Sequence, residues 1–363
     1  MKDLILRTID PFLRRVNIGL DISEHSAKYL AFTRKKPFAV DISGEIEIPE
    51  GIIEQAEIKK EEELAAIFRA WRLVLPRHLQ SAEITVSLPE EKSFVRVIQL
   101  PQIEKDKVAQ AVRWELEANV PIPQDQLIYD YEVIEPLENH INHVDVAITA
   151  FPKSIIEPYV RVLKIAGFTV AALELESQAI IRACIPELRT RHACIVIDMG
   201  RNRTSFIIFS GGAIRFTTTI PLGGKTLEEN IMKALGVKQE EALEIKKTVG
   251  LDKKALEGKV FAALVPAMSA FADELHRAVF FYQDHATHTH GAEPFISSLF
   301  LSGGDANLLG LATYLGSSLQ IPVNTVNPFA TAHRFMATTT PPLPPQLALA
   351  FTTAIGLALR DAS

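Results

Sequence analysis

The sequence predicts an α/β protein of two lobes built on an internal duplication, and three observations carry the prediction. The 363-residue length is about twice that of an ordinary single domain. Apolar runs of strand length alternate with stretches of helical periodicity along the chain. One pattern also occurs twice, about half the chain apart. Val16-Asn17-Ile18-Gly19-Leu20-Asp21-Ile22 and Cys194-Ile195-Val196-Ile197-Asp198-Met199-Gly200 are both apolar strands closing on an acid, each followed by a tight turn and a second strand.

The elements follow in order. Residues 1–15 place Leu4, Ile5, Ile9, Phe12 and Leu13 near one helical face, with Lys2, Arg7, Arg14 and Arg15 elsewhere. That helix either packs on its own domain or touches a membrane surface or partner. Ala27–Thr33 reads as the strand after the first turn, 54–75 as a helix striped by Leu64, Ile67, Phe68 and Trp71 and stopped by Pro76, and 84–88 as a strand. A compact α+β unit comes next: strand 94–100, helix 104–119, strands 127–134 and 144–151, helix 154–166 and strand 168–175. After the second Asp hairpin, helix 268–284 and the strand ending Leu299-Phe300-Leu301-Ser302 remain, then a helix carrying Leu308, Leu309, Leu311 and Leu315. Thr338–Pro345 reads as an extended loop, and Leu347–Leu359 as a buried helix too short and too diluted by Thr and Gly to span a bilayer.

Composition narrows the function. Hydrophobic residues at 47% and charged residues at 23% are ordinary for a folded chain and exclude bulk disorder. A formal charge of −6 gains little from counterion release, so nucleic acid is not expected as a partner. Two cysteines, Cys184 and Cys194, cannot build a disulfide framework and read as inert buried thiols of a reducing, cytoplasmic compartment. Asp3, Arg7 and Asp10 interrupt any secretory leader. His285, His288 and His290 lack partners at structural-zinc spacing and read as a polar loop. Trp114 sits at the edge of the stripe Val108, Ala111, Val112 and Leu116, where it either covers the core or faces a partner.

Three turns share one physical logic. A tight turn after a strand presents backbone N–H groups that cradle phosphate oxygens, and an acid at its tip holds Mg²⁺, usually through water. Two such hairpins, one per lobe, can face each other across a phosphate chain. The Gly303-Gly304 turn lets backbone lie close to a nucleotide and aims a helix N-terminus at its phosphates. Lys28, seven residues beyond Asp21, has the spacing to reach a β- or γ-phosphate, though a surface lysine fits that spacing too.

In this order the motifs resemble the actin-like ATPase superfamily and, within it, the PilM family of type IV pilus assembly proteins, relatives of the cell-division protein FtsA. Gly19-Leu20-Asp21-Ile22 with Lys28 resembles the first phosphate motif, and Asp198-Met199-Gly200-Arg201-Asn202-Arg203-Thr204 the second. Ser302-Gly303-Gly304 with Gly310 resembles the adenosine motif, and Ala354-Ile355-Gly356-Leu357-Ala358-Leu359-Arg360 the C-terminal signature. The narrower likeness rests on Ala111-Val112-Arg113-Trp114-Glu115, Asn119-Val120-Pro121-Ile122-Pro123 and Tyr129-Asp130-Tyr131-Glu132-Val133.

The resemblance implies an actin-like (ribonuclease H-like) two-lobed fold with an FtsA-type inserted subdomain. Its units would be an N-terminal helix (1–15), a first lobe core (16–88 and 169–190), the insertion (89–168), a second lobe core (191–223 and 295–363) and a second outer subdomain (224–294). It implies ATP with Mg²⁺ between the lobes. Asp21 and Asp198 would sit around the metal, Lys28, Gly200 and Thr204 near the phosphates, and Gly303 and Gly304 beside the adenosine. It further implies a cytoplasmic scaffold at the inner face of the membrane. This scaffold would capture the N-terminal tail of a PilN-like inner-membrane protein in the groove between first lobe and insertion, linking it to the pilus platform. Any hydrolysis would be slow and regulatory. The same resemblance fits a scaffold that no longer binds ATP, a type II secretion or pseudopilus relative, or a small-molecule kinase of the superfamily. The kinase reading lacks an evident carboxylate base for a substrate hydroxyl.

The first turn departs from the family pattern. Ser23 stands where a glycine is usual, and Glu24 and His25 follow. A carboxylate within ~5 Å of a phosphate charge is repelled by ~3 kcal/mol at an effective dielectric near 20, so the loop would bend away or bind nucleotide weakly. Arg201 and Arg203 in the second turn either pair with Glu24 across the cleft or are solvated turn residues.

Overall fold

The computed structural model describes residues 16–33, 38–135, 137, 143–187, 190–285, 293–336 and 342–360. The expected N-terminal helix, His288, His290 and residues 338–341 of the Thr/Pro stretch lie outside them.

Strands β1 (Asn17–Ile22), β2 (Ser26–Phe32) and β3 (Val40–Glu47) form an antiparallel meander. A two-stranded hairpin of β4 (Ile53–Glu54) and β5 (Glu57–Ile58) leads into helix α1 (Glu61–Val74). The helix expected from residue 54 therefore starts seven residues later. Gln55 and Ala56 take left-handed backbone (φ 48° and 64°) to make the hairpin turn, and the helix opens on the acids Glu61, Glu62 and Glu63, which favour a helix N-terminus. Its stripe of Leu64, Ala65, Phe68 and Trp71 is buried. Strand β6 (Glu83–Leu88) then runs parallel to β1.

The insertion comprises β7 (Phe94–Pro101), α2 (Lys105–Asn119), β8 (Leu127–Ile134) and β9 (His143–Pro152). It is a three-stranded antiparallel sheet of order β7-β9-β8 with its own core, built from Ile98, Leu100, Val112, Leu116, Val146 and Ile148 among others. Trp114 does not close that core; it is 61% exposed. Helix α3 (Lys153–Ile165), strand β10 (Thr169–Leu175) and helix α4 (Glu176–Cys184) return to the first sheet, whose order is β10-β6-β1-β2-β3.

The second half repeats this plan. Strands β11 (Ala193–Met199), β12 (Thr204–Ser210) and β13 (Ala213–Ile220) form the meander, and helices α5 (Gly224–Leu235), α6 (Gln239–Thr248) and α7 (Lys259–His285) follow. Strand β14 (Ile296–Ser302), helix α8 (Leu311–Leu319) and strand β15 (Val323–Thr325) complete a sheet of order β13-β12-β11-β14-β15. Both sheets thus have three antiparallel strands followed by two parallel ones, and Asp21 and Asp198 occupy the same place in each. The central strand β11 is apolar almost throughout because a sheet covered on both faces needs continuous rather than alternating hydrophobics.

Two elements pack away from the unit to which the sequence assigns them. Helix α3, expected within 89–168, sends Ile155, Tyr159, Val162 and Leu163 into the core beneath α1 instead of into the insertion. The apolar stretch near the C-terminus, expected within the second lobe, is two short helices, α9 (Pro345–Ala350) and α10 (Thr352–Ala358), turned at Phe351. Helix α10 lies against β1 and α4 of the first half. There Gly19 faces the Ala354 carbonyl and Gly356 the Ala179 carbonyl, each too close for a Cβ. Through α4 and α10 one apolar core runs from Leu30 and Ile180 to Ile195 and Phe206. Among the described residues one helix, around α7 (255–284), is long and apolar enough by length and composition to cross a bilayer. Its stripe Val260, Leu264, Met268, Phe271 and Leu275 is buried in the second half, as in a core helix.

Candidate functional site

The two Asp hairpins meet at one end of the paired sheets. Asp21 sits one residue before the end of β1, in register with Lys28 on β2; Asp198 sits likewise on β11, in register with Ser205. The Ser87 hydroxyl donates to Asp21 Oδ1 at 2.8 Å while accepting the Ile22 N–H at 3.1 Å. Burial raises the Asp21 pKa against the pull of Lys28, Ser87 and Arg203. Asp198 is pushed up to about 6, by burial first and by the Asp21 carboxylate second. Ser302 Oγ lies near Asp198 and draws its pKa down without meeting hydrogen-bond geometry to any partner. Two buried carboxylates, one of which raises the proton affinity of the other, form a place where a divalent cation relieves repulsion.

Further acids surround the pair. Glu176, at the start of α4, is raised by burial, opposed by Arg203 and reinforced by Asp21, Asp198 and Glu90. Glu90, in the 3₁₀ turn Glu90–Lys92, is raised by burial and accepts both the Ser177 hydroxyl (3.0 Å) and its N–H (3.3 Å).

The second turn, residues 200–203, closes the space between the hairpins, and its three polar side chains diverge. Arg201 faces Glu228 of α5 at 3.5 Å, within its own half. Asn202 crosses to the first turn, donating Nδ2–H to Glu24 Oε2 at 2.5 Å and lying 3.1 Å from His25 Nε2. Arg203 crosses to Glu91 (3.1 Å) and Glu176 (3.2 Å). The pairing of Glu24 with an arginine is thus replaced. Glu24 takes Asn202 and the Gln55 N–H (2.8 Å), because neighbouring side chains in the turn point in different directions.

The groups expected to hold phosphate are spent internally. The Gly200 N–H donates to the Arg203 carbonyl (3.0 Å), and the Ser23 N–H to the Ser26 carbonyl (2.9 Å). The Thr204 hydroxyl donates to the Leu222 carbonyl at 2.6 Å from a buried position. Lys28 donates to Ser26 Oγ (3.0 Å) and pairs with Glu45 (3.1 Å). Gly303, at φ +88°, lets the chain cross the Met199 backbone where a Cβ would clash; Gly304 is exposed. The Gly-Gly turn opens only the short 3₁₀ segment Gly304–Asn307, and α8 starts later, behind Gly310. Two cavities, of about 250 and 690 Å³, share Leu309, Gly310 and Thr313 and are not lined by Asp21 or Asp198.

Sequence reading missed several participants. Gly223-Gly224 is a second Gly-Gly step between strand and helix, a signal visible in the sequence. The Gly224 and Lys225 N–H groups donate to the Gly200 and Arg201 carbonyls (3.0 and 2.8 Å), docking the N-terminus of α5 on the turn. Buried Lys246 bridges Glu228 (2.6 Å) and Asp305 beside Gly304. Glu91, Glu176 and Asn202 carry no local signal, since their partners lie in the other half of the chain.

Two duplicated sheets, a closing helix shared between them and paired acids at facing turns define an actin-like two-lobed protein. Comparison with known proteins agrees and narrows the class. A family model described as type IV pilus assembly protein PilM matches residues 19–362, and the chain belongs to that family. The PilM-PilN type IV pilus biogenesis complex superimposes with a TM-score of 0.76 at 22% identity, covering 96% of this chain and 98% of that one. MreB5 of Spiroplasma citri bound to AMPPNP gives 0.55 at 12% identity over 96% of each chain. These identities speak for the fold. Cell division protein FtsA of Bacillus subtilis is 26% identical over 169 residues, 42% of this chain and only 38% of its own length.

Proposed function

We propose that this chain is a cytoplasmic, actin-like scaffold of the type IV pilus assembly machine. It would capture the N-terminal tail of a PilN-like inner-membrane protein and use Mg·ATP between its lobes as a regulatory ligand. The observation that carries the reading is the family match along almost the whole chain, supported by the likeness to the PilM-PilN complex, which extends over the insertion. The division into a first lobe, an inserted subdomain and a second lobe belongs to this proposal, as does the location at the inner face of the membrane.

The residues present fit Mg·ATP in part. Asp21 and Asp198 suit a hydrated divalent cation. In this reading Lys28, Gly200 and Thr204 would approach the phosphates, and Gly303 and Gly304 the adenosine, once the contacts of Asn202 and Arg203 to the first half open and the internal bonds of Lys28, Gly200 and Thr204 are exchanged for the ligand. Bound Mg·ATP would supply positive charge for the paired acids and a polyanion to hold both turns. A second reading, a scaffold that no longer takes ATP, is favoured by the turn N–H groups, Lys28 and Thr204 being already satisfied.

Calorimetry on the full chain with Mg·ATP, with ATP in EDTA, and with a synthetic PilN-like tail separates these outcomes. Binding of both peptide and Mg·ATP supports the first reading, and peptide alone supports the second. Failure to bind the tail overturns the scaffold assignment, and turnover of a sugar panel would replace it with a kinase.

A further inference from the structure

The insertion is joined to the first half by the chain itself, entering through the turn Glu90–Lys92 and leaving at Pro152. It is also tied to the second half at two places. At its root, Glu91 accepts from Arg203, the same guanidinium that reaches Glu176. On the central strand of its sheet, near one end, Asp145 of β9 accepts from Arg215 on β13 at 2.9 Å. Asp145 is 3% and the Arg215 side chain 11% exposed, and Arg215 is braced by the Ser210 carbonyl at 3.0 Å. Strand β13 packs on the root turn and on both β7 and β9.

Arg203 immediately precedes one antiparallel ladder, β12 with β13, and Arg215 sits near its far end as a bulged residue of β13. The ladder begins at the turn that closes the cleft and ends against the insertion. Such a ladder moves as a unit, so any rotation that separates Asn202 from Glu24 must also shift Arg203 and Arg215 relative to the first half. The insertion then follows the ladder or loses its ion pairs to it.

We infer that the insertion is a lever, geared to the cleft through Arg203–Glu91 and Arg215–Asp145, so that occupancy of the cleft and binding at the insertion are coupled. The identity of the cleft ligand rests on the function proposed above; the mechanical link does not. Coupling of this kind is reciprocal: a ligand favouring one lobe angle alters affinity at the insertion by the factor with which the insertion's partner alters its own.

Hydrogen exchange on the full-length protein tests the link. Arg203→Gln is expected to speed exchange about tenfold in β7 and β9 as well as in the turn at 23–26. Glu91→Gln, which leaves the Glu176 contact in place, should reproduce the effect in the insertion. Arg215→Gln alone removes the nearby guanidinium from the buried Asp145 carboxylate, which also faces His143 at 3.6 Å, and risks loosening the insertion by itself. The paired change Arg215→Gln with Asp145→Asn keeps the packing, and should loosen the turn at 200–203. Unchanged exchange of β7 and β9 in Arg203→Gln and Glu91→Gln, with altered exchange confined to the cleft, overturns the lever. Mg·ATP added to the parent forms a separate arm. Altered exchange at the turns with none in the insertion counts against the lever. Alteration nowhere counts against the nucleotide reading, and the variants alone then decide the coupling.

Discussion

Glu24→Gln keeps the size of the side chain and removes its charge, at the point where closure of the cleft and affinity for a phosphate chain conflict. In the parent, Glu24 accepts from Asn202 across the cleft and from the Gln55 N–H on its own side. A unit charge ~5 Å from one phosphate charge at an effective dielectric near 20 contributes ~3 kcal/mol of repulsion. Glu24 is only partly buried, and screening lowers that to ~1.4–2.7 kcal/mol, or ~10–100-fold in Kd. The bond from Asn202 is charge-assisted, and a neutral acceptor roughly halves its strength. The closed arrangement is thereby weakened in the direction that also favours entry of ligand. Calorimetric titration of parent and Glu24→Gln with Mg·ATP should show the variant binding ~10–100-fold more tightly, and Glu24→Gly at least as tightly. Indistinguishable Kd values, or weaker binding by the variant, would refute the reasoning. The glutamate would then swing clear whenever nucleotide enters, and its bond to Asn202 would be irrelevant to affinity.

Asp198→Asn should stabilise the metal-free protein at pH 8 by up to ~3 kcal/mol, the value of a shift from 3.8 to about 6. This carboxyl holds its proton more tightly folded than unfolded, so its contribution is complete below pH 3.8 and lost as pH rises through about 6. Urea unfolding in EDTA across that range checks it: the parent's deficit relative to the variant should grow with pH, and Mg²⁺ should restore the parent alone. Gly356→Ala should cost ~3 kcal/mol or more, because its Cβ meets the backbone of Ala179 and cannot be accommodated by a side-chain rotation. Gly236→Ala, at φ +69° with nothing within 4 Å, should cost only the left-handed penalty of ~1 kcal/mol, as denaturant unfolding would show. Burial pushes the Cys194 thiol up to about 12 and Cys184 higher still. Neither should react with a disulfide reagent at pH 8 until denaturant is added.

The duplication was legible because it is written in the most buried strands. The runs closing on Asp21 and Asp198 are continuous hydrophobics ending in an acid, a pattern that burial on both faces enforces. Strands β3 and β13 pass unread for the opposite reason. Val40-Asp41-Ile42-Ser43 and the threonine-rich Thr217-Thr218-Thr219 are exposed or half-buried along their length, so no clean alternation marks them. The hairpin at Gln55-Ala56 is hidden because left-handed turns normally advertise themselves with Gly or Asn. Here the Gln55 N–H is held by Glu24, and the Ala56 carbonyl accepts the Tyr159 hydroxyl at 3.0 Å. For the site, sequence could mark both acids and the turn glycines, since these are local. It could not assign partners to Arg201, Asn202 and Arg203, because three adjacent residues facing Glu228, Glu24 and Glu91 is a consequence of tertiary placement.

That divergence gives the second turn its meaning. The Asp21–Asp198 pair acts on Glu176, which Glu90 borders in turn, while Lys28 and Arg203 are cations that act on the pair and Glu24 and Glu91 act on Arg203. Lys28 is shared with Glu45. Lys28 and Arg203 therefore share the compensation inside the closed cleft, and Arg203 is also the tie to the insertion. A bare polyanion arriving among these acids would meet net repulsion, whereas a divalent cation would take over the compensation and release the guanidinium. Opening the cleft and freeing the root of the insertion are then one event with one electrostatic cause. If a partner binds at the insertion as proposed, the protein would respond in that way to metal and nucleotide without needing rapid turnover.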